Sequence, residues 1–290
     1  MISVIVPVYN EEAAVLQTLL DIDKELDGFV EHEIIIVDDG STDKTLEKVS
    51  ESSIKNLTVI NHPENLGYGK ALLDGIVNSK YDCIAIIDGD GSYAAKDIKR
   101  LYEYYPQYDM VVGARRGKEY KKGILIKPAR MMFNYLAEYA AGKKIPDVNS
   151  GLRVFKKDIF MEFQEALCTG FSFTTTLTLV FSLNHYFVKY VQIDYLEREG
   201  KSKVKYFRDT LRAGQIIVET ISEYNPTKLF LLFATLNSIF GLTLGFFNHF
   251  FLKIEFLSII SAICTSSFIP IFCMGLLFGQ IKKIYKINKK

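Results

Sequence analysis

Two stretches of this chain carry no charged residue: Leu229 to Leu252 and Phe256 to Gln280. A helix needs roughly 20 apolar residues to cross a hydrocarbon core ~30 Å thick, and both stretches exceed that length. Phenylalanines fall all round both segments instead of along one stripe, which argues against a pair of buried soluble helices. Asn237, Asn248 and His249 are polar exceptions suited to the partner helix or the interface. Lys253-Ile-Glu255 allows only a tight connection, so the segments are expected to form a two-helix transmembrane hairpin. Lys228 precedes the first span, and Lys282, Lys283, Lys286, Lys289 and Lys290 follow the second. Basic residues favour the cytosolic side, which places both ends there. Gly241/Gly245 and Gly275/Gly279 have small-xxx-small spacing, suited either to packing within the hairpin or to a homo-oligomer.

The first two hundred residues follow another rule. Met1-Ile-Ser-Val-Ile-Val-Pro-Val-Tyr-Asn-Glu-Glu12 reads as a strand, a turn and the acidic first turn of a helix. That helix is expected to bury Val15, Leu16, Leu19 and Leu20. Glu33-Ile-Ile-Ile-Val-Asp38 is a second apolar run, emptying into Asp38-Asp39-Gly40-Ser41-Thr42-Asp43. Leu57-Thr-Val-Ile60 is a third, leading to Asn65-Leu-Gly-Tyr-Gly-Lys70 and a helix. Strand, polar loop and helix in this alternation predict an α/β fold, a mostly parallel sheet with crossover helices and its chemistry-bearing loops on one edge.

A fourth run, Ile84-Ala-Ile-Ile-Asp-Gly-Asp90, ends in two carboxylates one residue apart. Alternate residues of an extended segment project the same way, so Asp88 and Asp90 can converge on one hard cation. Magnesium or manganese bound by so few carboxylates takes its other ligands from water and substrate phosphates. A polar turn closing a strand is the plainer reading of this stretch alone.

Taken together, Val6-Pro-Val-Tyr-Asn-Glu-Glu12, Val37-Asp-Asp-Gly-Ser41, Asn65-Leu-Gly67 and Asp88-Gly-Asp-Gly-Ser92 resemble glycosyltransferase family 2, whose fold is GT-A. The resemblance implies that Pro7, Tyr9, Glu11 and Asp39 line the nucleotide base and ribose. It adds Asp38, Gly67, Lys70 and Asp88 to the nucleotide-sugar site, and implies that Asp88, Asp90 and Ser92 hold Mg²⁺ or Mn²⁺ on the donor diphosphate. Gly91 departs from the family, where a larger apolar residue is common.

The later motifs resemble the polyprenyl-phosphate branch of that family, similar to dolichyl-phosphate mannose synthases and bacterial undecaprenyl-phosphate glucosyltransferases. Val111-Val-Gly-Ala-Arg-Arg116 reads as a strand ending in guanidinium groups, which bind phosphate bidentately. Lys118, Lys121 and Lys122 read better as a solvated face; the resemblance singles out Arg115 and Arg130 instead. Asp147-Val-Asn-Ser-Gly-Leu-Arg153 resembles the branch's acceptor loop and brings in Ser150. Asp147 could orient an acceptor, act as a base, or close a turn. Glu197-Arg-Glu-Gly-Lys-Ser-Lys203 resembles the element that engages phosphate just before the membrane, through Arg198, Ser202 and Lys203. Thr174, Thr175 and Thr176 stand where relatives often carry an acidic residue.

The resemblance implies an inverting, metal-dependent transfer from a UDP- or GDP-linked sugar to undecaprenyl or dolichyl phosphate, with Asp90, Arg115, Arg130 and Asp147 nearest the chemistry. A lipid phosphate is already anionic, whereas a hydroxyl acceptor needs a general base. His62, in the turn before Pro63, is the one histidine in these loops. Transfer to a hydroxyl acceptor and a catalytically dead membrane scaffold are the alternatives. A processive polysaccharide synthase would carry a Gln-x-x-Arg-Trp motif, and the chain has no tryptophan.

Net charge is +1 over 290 residues, so no global basic field argues for nucleic acid. No signal peptide is expected, because the first apolar run holds Pro7, lacks a basic leader and runs into acidic residues. Cys83, Cys168, Cys264 and Cys273 are dispersed, without zinc spacing, as in a reducing compartment or lipid. The expected division is a cytosolic catalytic domain over 1–203, a juxtamembrane region over 204–226 and a membrane region over 227–290. Val204 to Ile221 reads either as an interfacial amphipathic helix or as a helix packed on the catalytic domain.

Overall fold

A computed structural model of the chain describes residues 1–117, 134–139, 141–164, 173–198 and 225–288, with 215, 218, 219, 221 and 222 between. Lys118, Lys121, Lys122, Lys127, Arg130, Cys168, Ser202 and Lys203, and most of the juxtamembrane stretch, lie outside the described residues. The chain divides into two compact units, Met1–Ile217 and Val218–Lys290.

The first unit alternates as its apolar runs predict. In chain order it forms β1 (Ile2–Val8), α1 (Val15–Leu26), β2 (His32–Asp38), α2 (Thr45–Ser50), β3 (Leu57–Asn61), α3 (Tyr68–Val77) and β4 (Cys83–Ile86). Then follow α4 (Lys96–Tyr102), β5 (Met110–Arg116), β6 (Arg153–Lys156), α5 (Lys157–Phe163), α6 (Phe173–Leu183) and β7 (Val188–Asp194). The seven strands lie in the order β3-β2-β1-β4-β6-β5-β7. All pairings are parallel except those of β6, which runs antiparallel to both β4 and β5. The carboxyl ends of the other six strands and the amino end of β6 therefore share one edge. Four isoleucines or valines of β1 are fully buried, as are Ile34 and Ile36 of β2. Each such side chain contributes about 1.5–3 kcal/mol of burial, which makes these central strands the rigid floor of the site.

Two local expectations need correction. Glu11 and Glu12 do not open a helix: Asn10 takes φ 53°, residues 11–14 form a turn, and α1 begins at Val15. Glu12 instead accepts from the Lys44 N–H at 3.0 Å. The buried stripe of α1 is Val15, Leu19, Ile22 and Leu26 with Thr18, while Leu16 is half-buried and Leu20 exposed. Spacings of four, three and four residues follow the helical period around one face, which adjacent leucines cannot share.

The second unit is the expected hairpin in form. Pro226–Phe247 (α7) continues into a π-helical turn, Asn248–Leu252; Glu255–Ser266 (α8) and Phe268–Asn288 (α9) return. The two candidate spans, Pro226–Leu252 and Glu255–Lys282, are long and apolar enough to cross a membrane, with mean hydropathies of 1.9 and 2.0. Phe240, Phe246, Phe250, Phe251 and Phe256 are exposed, a surface suited to lipid and not to water. Only Ser267 interrupts the second span, where Pro270 removes the N–H that would meet the Ser266 carbonyl.

Polar residues join the arms. Asn237 donates to the Cys264 carbonyl (3.0 Å) and Ser267 Oγ (2.6 Å), Ser261 donates to the Gly241 carbonyl (2.7 Å), and Asn248 clasps the connection through Ile254. The paired glycines face inward. A Cβ on Gly241 would lie 2.9 Å from the Ser261 carbonyl oxygen, and one on Gly275 would lie 2.5 Å from the Phe230 side chain. These faces are thus taken up within the hairpin. Gly241→Leu is expected to destabilise this unit by about 1–3 kcal/mol through overpacking. A melting temperature in detergent unchanged from wild type would contradict that packing.

Candidate active site

The sheet edge is organised where β4 leaves its neighbour. The β1–β4 ladder ends with the Ile87 N–H on the Ile5 carbonyl (3.1 Å), because Pro7 has no N–H to continue it. Asp88, Gly89 and Asp90 then peel away over the end of β1. Gly89 is tight there, its place for a Cβ only 2.5 Å from Val8.

The loops that follow β1, β2 and β3 are stitched to one another. The Asn10 N–H donates to Ser41 Oγ (2.8 Å), the Thr42 N–H to Asn10 Oδ1 (2.7 Å), and the Glu11 N–H to Thr45 Oγ1 (2.8 Å). Asp38, fully buried, accepts from Ser41 and so shapes its own turn. Gly40 turns at φ 73°, with the Glu64 backbone 2.6 Å from where a Cβ would stand. Asp39 reaches the third loop, accepting from the Leu66 N–H (2.9 Å), the Gly67 N–H (2.8 Å) and a ring nitrogen of His62 (2.8 Å). Gly67 takes φ 103° immediately before α3. Lys70, a turn into that helix, pairs with Asp74 at 2.6 Å.

Asp88 and Asp90 form the acidic centre. Burial, then the charge of Asp90, pushes the Asp88 carboxyl up to about 6, while hydrogen bonding from Tyr68 and the cations Arg115 and Arg198 oppose the rise. The Tyr68 hydroxyl donates to Asp88 Oδ1 at 2.8 Å. Among the described residues Oδ2 of Asp88 has no hydrogen-bond donor. Asp90 accepts from the Ser92 N–H at 3.0 Å and from its hydroxyl, so Ser92, fully buried, braces the carboxylate. Arg198, arriving after β7, places Nη2 2.5 Å from Glu11 Oε1 and Nε 3.1 Å from Asp90 Oδ2. One guanidinium therefore faces the carboxylates of Glu11 and Asp90, with Asp88 beside them.

Arg115, Asp147 and Ser150 meet across β5 and β6. Arg115 grips Asp147 with two parallel bonds, Nε to Oδ2 at 2.7 Å and Nη2 to Oδ1 at 2.9 Å, and its own N–H adds a third at 3.1 Å. The Asn149 N–H also donates to Asp147, at 3.2 Å. Arg115 lies over the Tyr195 ring, 5.3 Å from its centre, and Tyr195 packs edge-on against Tyr93. Ser150 is fully buried, its hydroxyl on the Gly113 carbonyl at 2.6 Å. Gly151 brings bare backbone against Asp88: a Cβ there would overlap the carboxylate, 2.6 Å from its carbon. The Tyr93 hydroxyl holds that loop, accepting the Gly151 N–H at 2.7 Å.

The structure thus draws together Glu11, Asp88, Asp90, Ser92 and Arg198 in one group, Asp38, Asp39, Gly67 and Lys70 in a second, and Arg115, Asp147 and Ser150 in a third. Pro7 and Tyr9 lie at the end of β1, between the first two. Residue chemistry alone missed Tyr68, Tyr93 and Tyr195, whose neighbours in sequence (Gly67, Ser92 and Asp194) say nothing of the partners they meet. It also missed Arg153, fully buried and donating to the carbonyls of Ser150 and Thr174, the Thr178 hydroxyl and the Met110 sulfur. Burial of that cation without a carboxylate lowers its pKa. Thr174, Thr175 and Thr176 are all buried in α6, and Thr174 meets Arg153 through its carbonyl.

Residues 3–163 match the family model described as glycosyl transferase family 2. The chain belongs to that family. It is 28% identical over 219 residues to a low-salt glycan biosynthesis hexosyltransferase of Haloferax volcanii, covering 73% of this chain and 51% of the relative. It is 26% identical to a dolichyl-phosphate hexose transferase of the same organism, covering 77% of this chain and 94% of that one. The chain thus spans about half of the first relative and nearly all of the second. The fold matches glucosyl-3-phosphoglycerate synthase from Mycobacterium tuberculosis, crystallised with Mn²⁺, UDP-glucose and phosphoglyceric acid. That match has a TM-score of 0.62 at 19% identity and covers 76% of this chain and 79% of the other. The mostly parallel GT-A sheet expected from the sequence is the sheet observed, with β6 as its one reversed strand.

Gly151→Ala isolates the acidic centre from the rest of the fold. Displacing Asp88 is expected to destabilise the fold by about 1–3 kcal/mol through overpacking while the far-ultraviolet circular dichroism at room temperature stays that of wild type. An unchanged melting temperature in this variant would contradict the contact between Gly151 and Asp88.

Proposed function

We propose that the protein is a metal-dependent, inverting glycosyltransferase that moves a sugar from a UDP- or GDP-linked donor to a polyprenyl phosphate at the cytosolic membrane face. The observation that carries this reading is the pair of carboxylates, Asp88 and Asp90, one residue apart where β4 leaves the sheet, with the Asp88 carboxyl pushed up by burial and by the charge of Asp90. Two carboxylates of hard oxygen suit Mg²⁺ or Mn²⁺. Among the described residues no group of three His, Cys, Asp or Glu side chains could hold a metal, so its other ligands would be water and the donor diphosphate. When bound, the cation would offset the charge that develops on the departing nucleoside diphosphate.

The chain's own groups then have distinct tasks. Asp88 and Asp90 hold the cation, and Ser92 fixes the Asp90 rotamer rather than ligating. Arg198 can pass from the carboxylates to phosphate oxygens, for which its planar fork is suited. The stitched loops carrying Pro7, Tyr9, Glu11 and Asp39 form the wall for base and ribose. Arg115 is a cation facing the acceptor side, and Arg130, Ser202 and Lys203 are assigned to the same phosphate from the family resemblance.

Asp147 bears on which acceptor is used. Its oxygens already accept three bonds from Arg115 and one from Asn149, leaving it poorly placed to take a proton. An anionic phosphate needs no such base, only positioning beside the anomeric carbon. Two apolar helices supply a reason to meet that phosphate on a membrane, and the lysines after the second favour both ends on the cytosolic side. The similarity to a dolichyl-phosphate hexose transferase supports the same acceptor class.

Full-length protein in detergent, supplied with undecaprenyl or dolichyl phosphate, Mg²⁺ or Mn²⁺ and labelled UDP- or GDP-sugars in turn, is expected to yield a labelled lipid from one donor. Asp90→Asn is expected to reduce that turnover by at least about 100-fold, as loss of a preorganised charge does. Nucleotide binding without lipid labelling by any donor would overturn the acceptor assignment. The pH dependence has a defined sign. Because the Asp88 carboxyl is raised to about 6, a proton competes with the metal below that value. Mn²⁺ affinity is expected to fall about tenfold per pH unit on the acid side of 6 and to level off above it. A flat profile between pH 5 and pH 7, taken about one unit either side, would remove Asp88 from the ligand set.

A further inference from the structure

His62 follows β3, is 7% exposed and stands between two carboxylates. Nδ1 lies 2.8 Å from Asp39 Oδ1 and Nε2 lies 3.1 Å from Asp74 Oδ2, while Asp74 is held in turn by Lys70 at 2.6 Å. A carboxylate oxygen has no proton to give, so both contacts are hydrogen bonds together only when the ring carries two N–H groups. The four groups form a chain, Asp39, His62, Asp74, Lys70, from the sheet edge out to the surface of α3. Nothing in the chemistry proposed above uses this histidine.

We propose that His62 is a positioning residue for the nucleotide donor, acting through Asp39. The inference rests on the reading in which Asp39 lines the nucleotide base. Asp39 Oδ1 accepts from His62 and from the Leu66 N–H, and Oδ2 accepts from the Gly67 N–H. Each carboxylate oxygen has two in-plane acceptor positions, so among the described residues one position, on Oδ2, is left for a ligand. An ionised carboxylate with one acceptor position and no proton selects a base bearing a ring N–H, as uracil and guanine do. It repels the bare ring nitrogen of cytosine or adenine. His62 sustains that selectivity through its bond, which fixes which oxygen of Asp39 is turned to the ligand.

Asn and Gln dissect the two contacts, because the amide nitrogen of Asn falls near Nδ1 of histidine and that of Gln near Nε2. Titration of UDP, GDP and CDP with Mg²⁺ into the full chain in detergent reads the outcome. His62→Asn, which keeps a donor for Asp39, is expected to bind UDP or GDP within about threefold of wild type. His62→Gln is expected to lose about tenfold or more, the effect of a hydrogen bond to a charged group, and to lose preference over CDP in the same measure. If the two variants bind alike, or Gln binds the tighter, His62 serves only the fold and the inference is overturned. Should His62→Gln not fold, His62→Ala takes its place, and wild-type affinity in that variant would overturn the inference equally. Asp39→Asn separates the underlying reading. Unchanged affinity there overturns the assignment of Asp39 to the base and the role of His62 with it. Weakened affinity there, with His62→Asn and His62→Gln equal, overturns the role of His62 alone.

Discussion

Negative charge crowded at the carboxyl edge of the sheet is the constraint around which the first unit is arranged. Asp88 and Asp90 leave β4 with one residue between them, Glu11 stands across from Asp90, and Arg198 is the guanidinium bridging those two. The cost is visible in Asp88, whose carboxyl is pushed up by burial and by its neighbour. Folding tolerates that cost because the surrounding elements are held independently of it. The strands below are packed with isoleucine and valine, and the loops are tied by their own hydrogen bonds. A divalent cation and a diphosphate are the ligands whose charges complete such a site. In the proposed function, the two apolar helices and the occupied carboxylate of Asp147 are what favour a lipid phosphate as the second substrate.

How much of this is legible in the sequence depends on the range over which the information acts. Strands β1 to β5 and their order of appearance were readable, because each is a short apolar run bounded by turn residues, and the acidic pair was readable because it ends one; β7 was not read. Pro7 shows how local chemistry and topology combine: its missing N–H ends the ladder at the level where Asp88 begins. The reversed strand β6 carries no such signal, since Arg153-Val-Phe-Lys156 states nothing about direction. Nor is a pairing such as Arg115 with Asp147 encoded in spacing, for it exists only because β5 and β6 lie side by side. Adjacent leucines misled the reading of α1, where helical period decides the buried face and residue type does not.

His62 and Arg153 illustrate a deeper limit. A histidine before a proline looks like a turn residue, and an arginine opening a strand looks like a surface charge. Both are buried, and each takes its meaning from partners far along the chain, Asp39 and Asp74 for one and Thr174 and Thr178 for the other. Buried polar groups are costly unless satisfied, so their partners matter more than their neighbours in sequence. The hairpin presents the opposite case. Its length, its uncharged stretches and its small-residue spacing were all local, and its arms meet through the glycines that the spacing marks.

The affinity of Mn²⁺ for the full chain, measured by electron paramagnetic resonance with and without UDP or GDP, tests the central claim most directly. With Asp88 and Asp90 as the protein ligands, the account predicts weak binding of the metal alone. It predicts tightening by about tenfold or more when the nucleoside diphosphate supplies further ligands, as for cations that rely on substrate phosphates. That tightening should vanish in Asp90→Asn. Equal Mn²⁺ affinity with and without nucleotide, or tightening that survives Asp90→Asn, would contradict it.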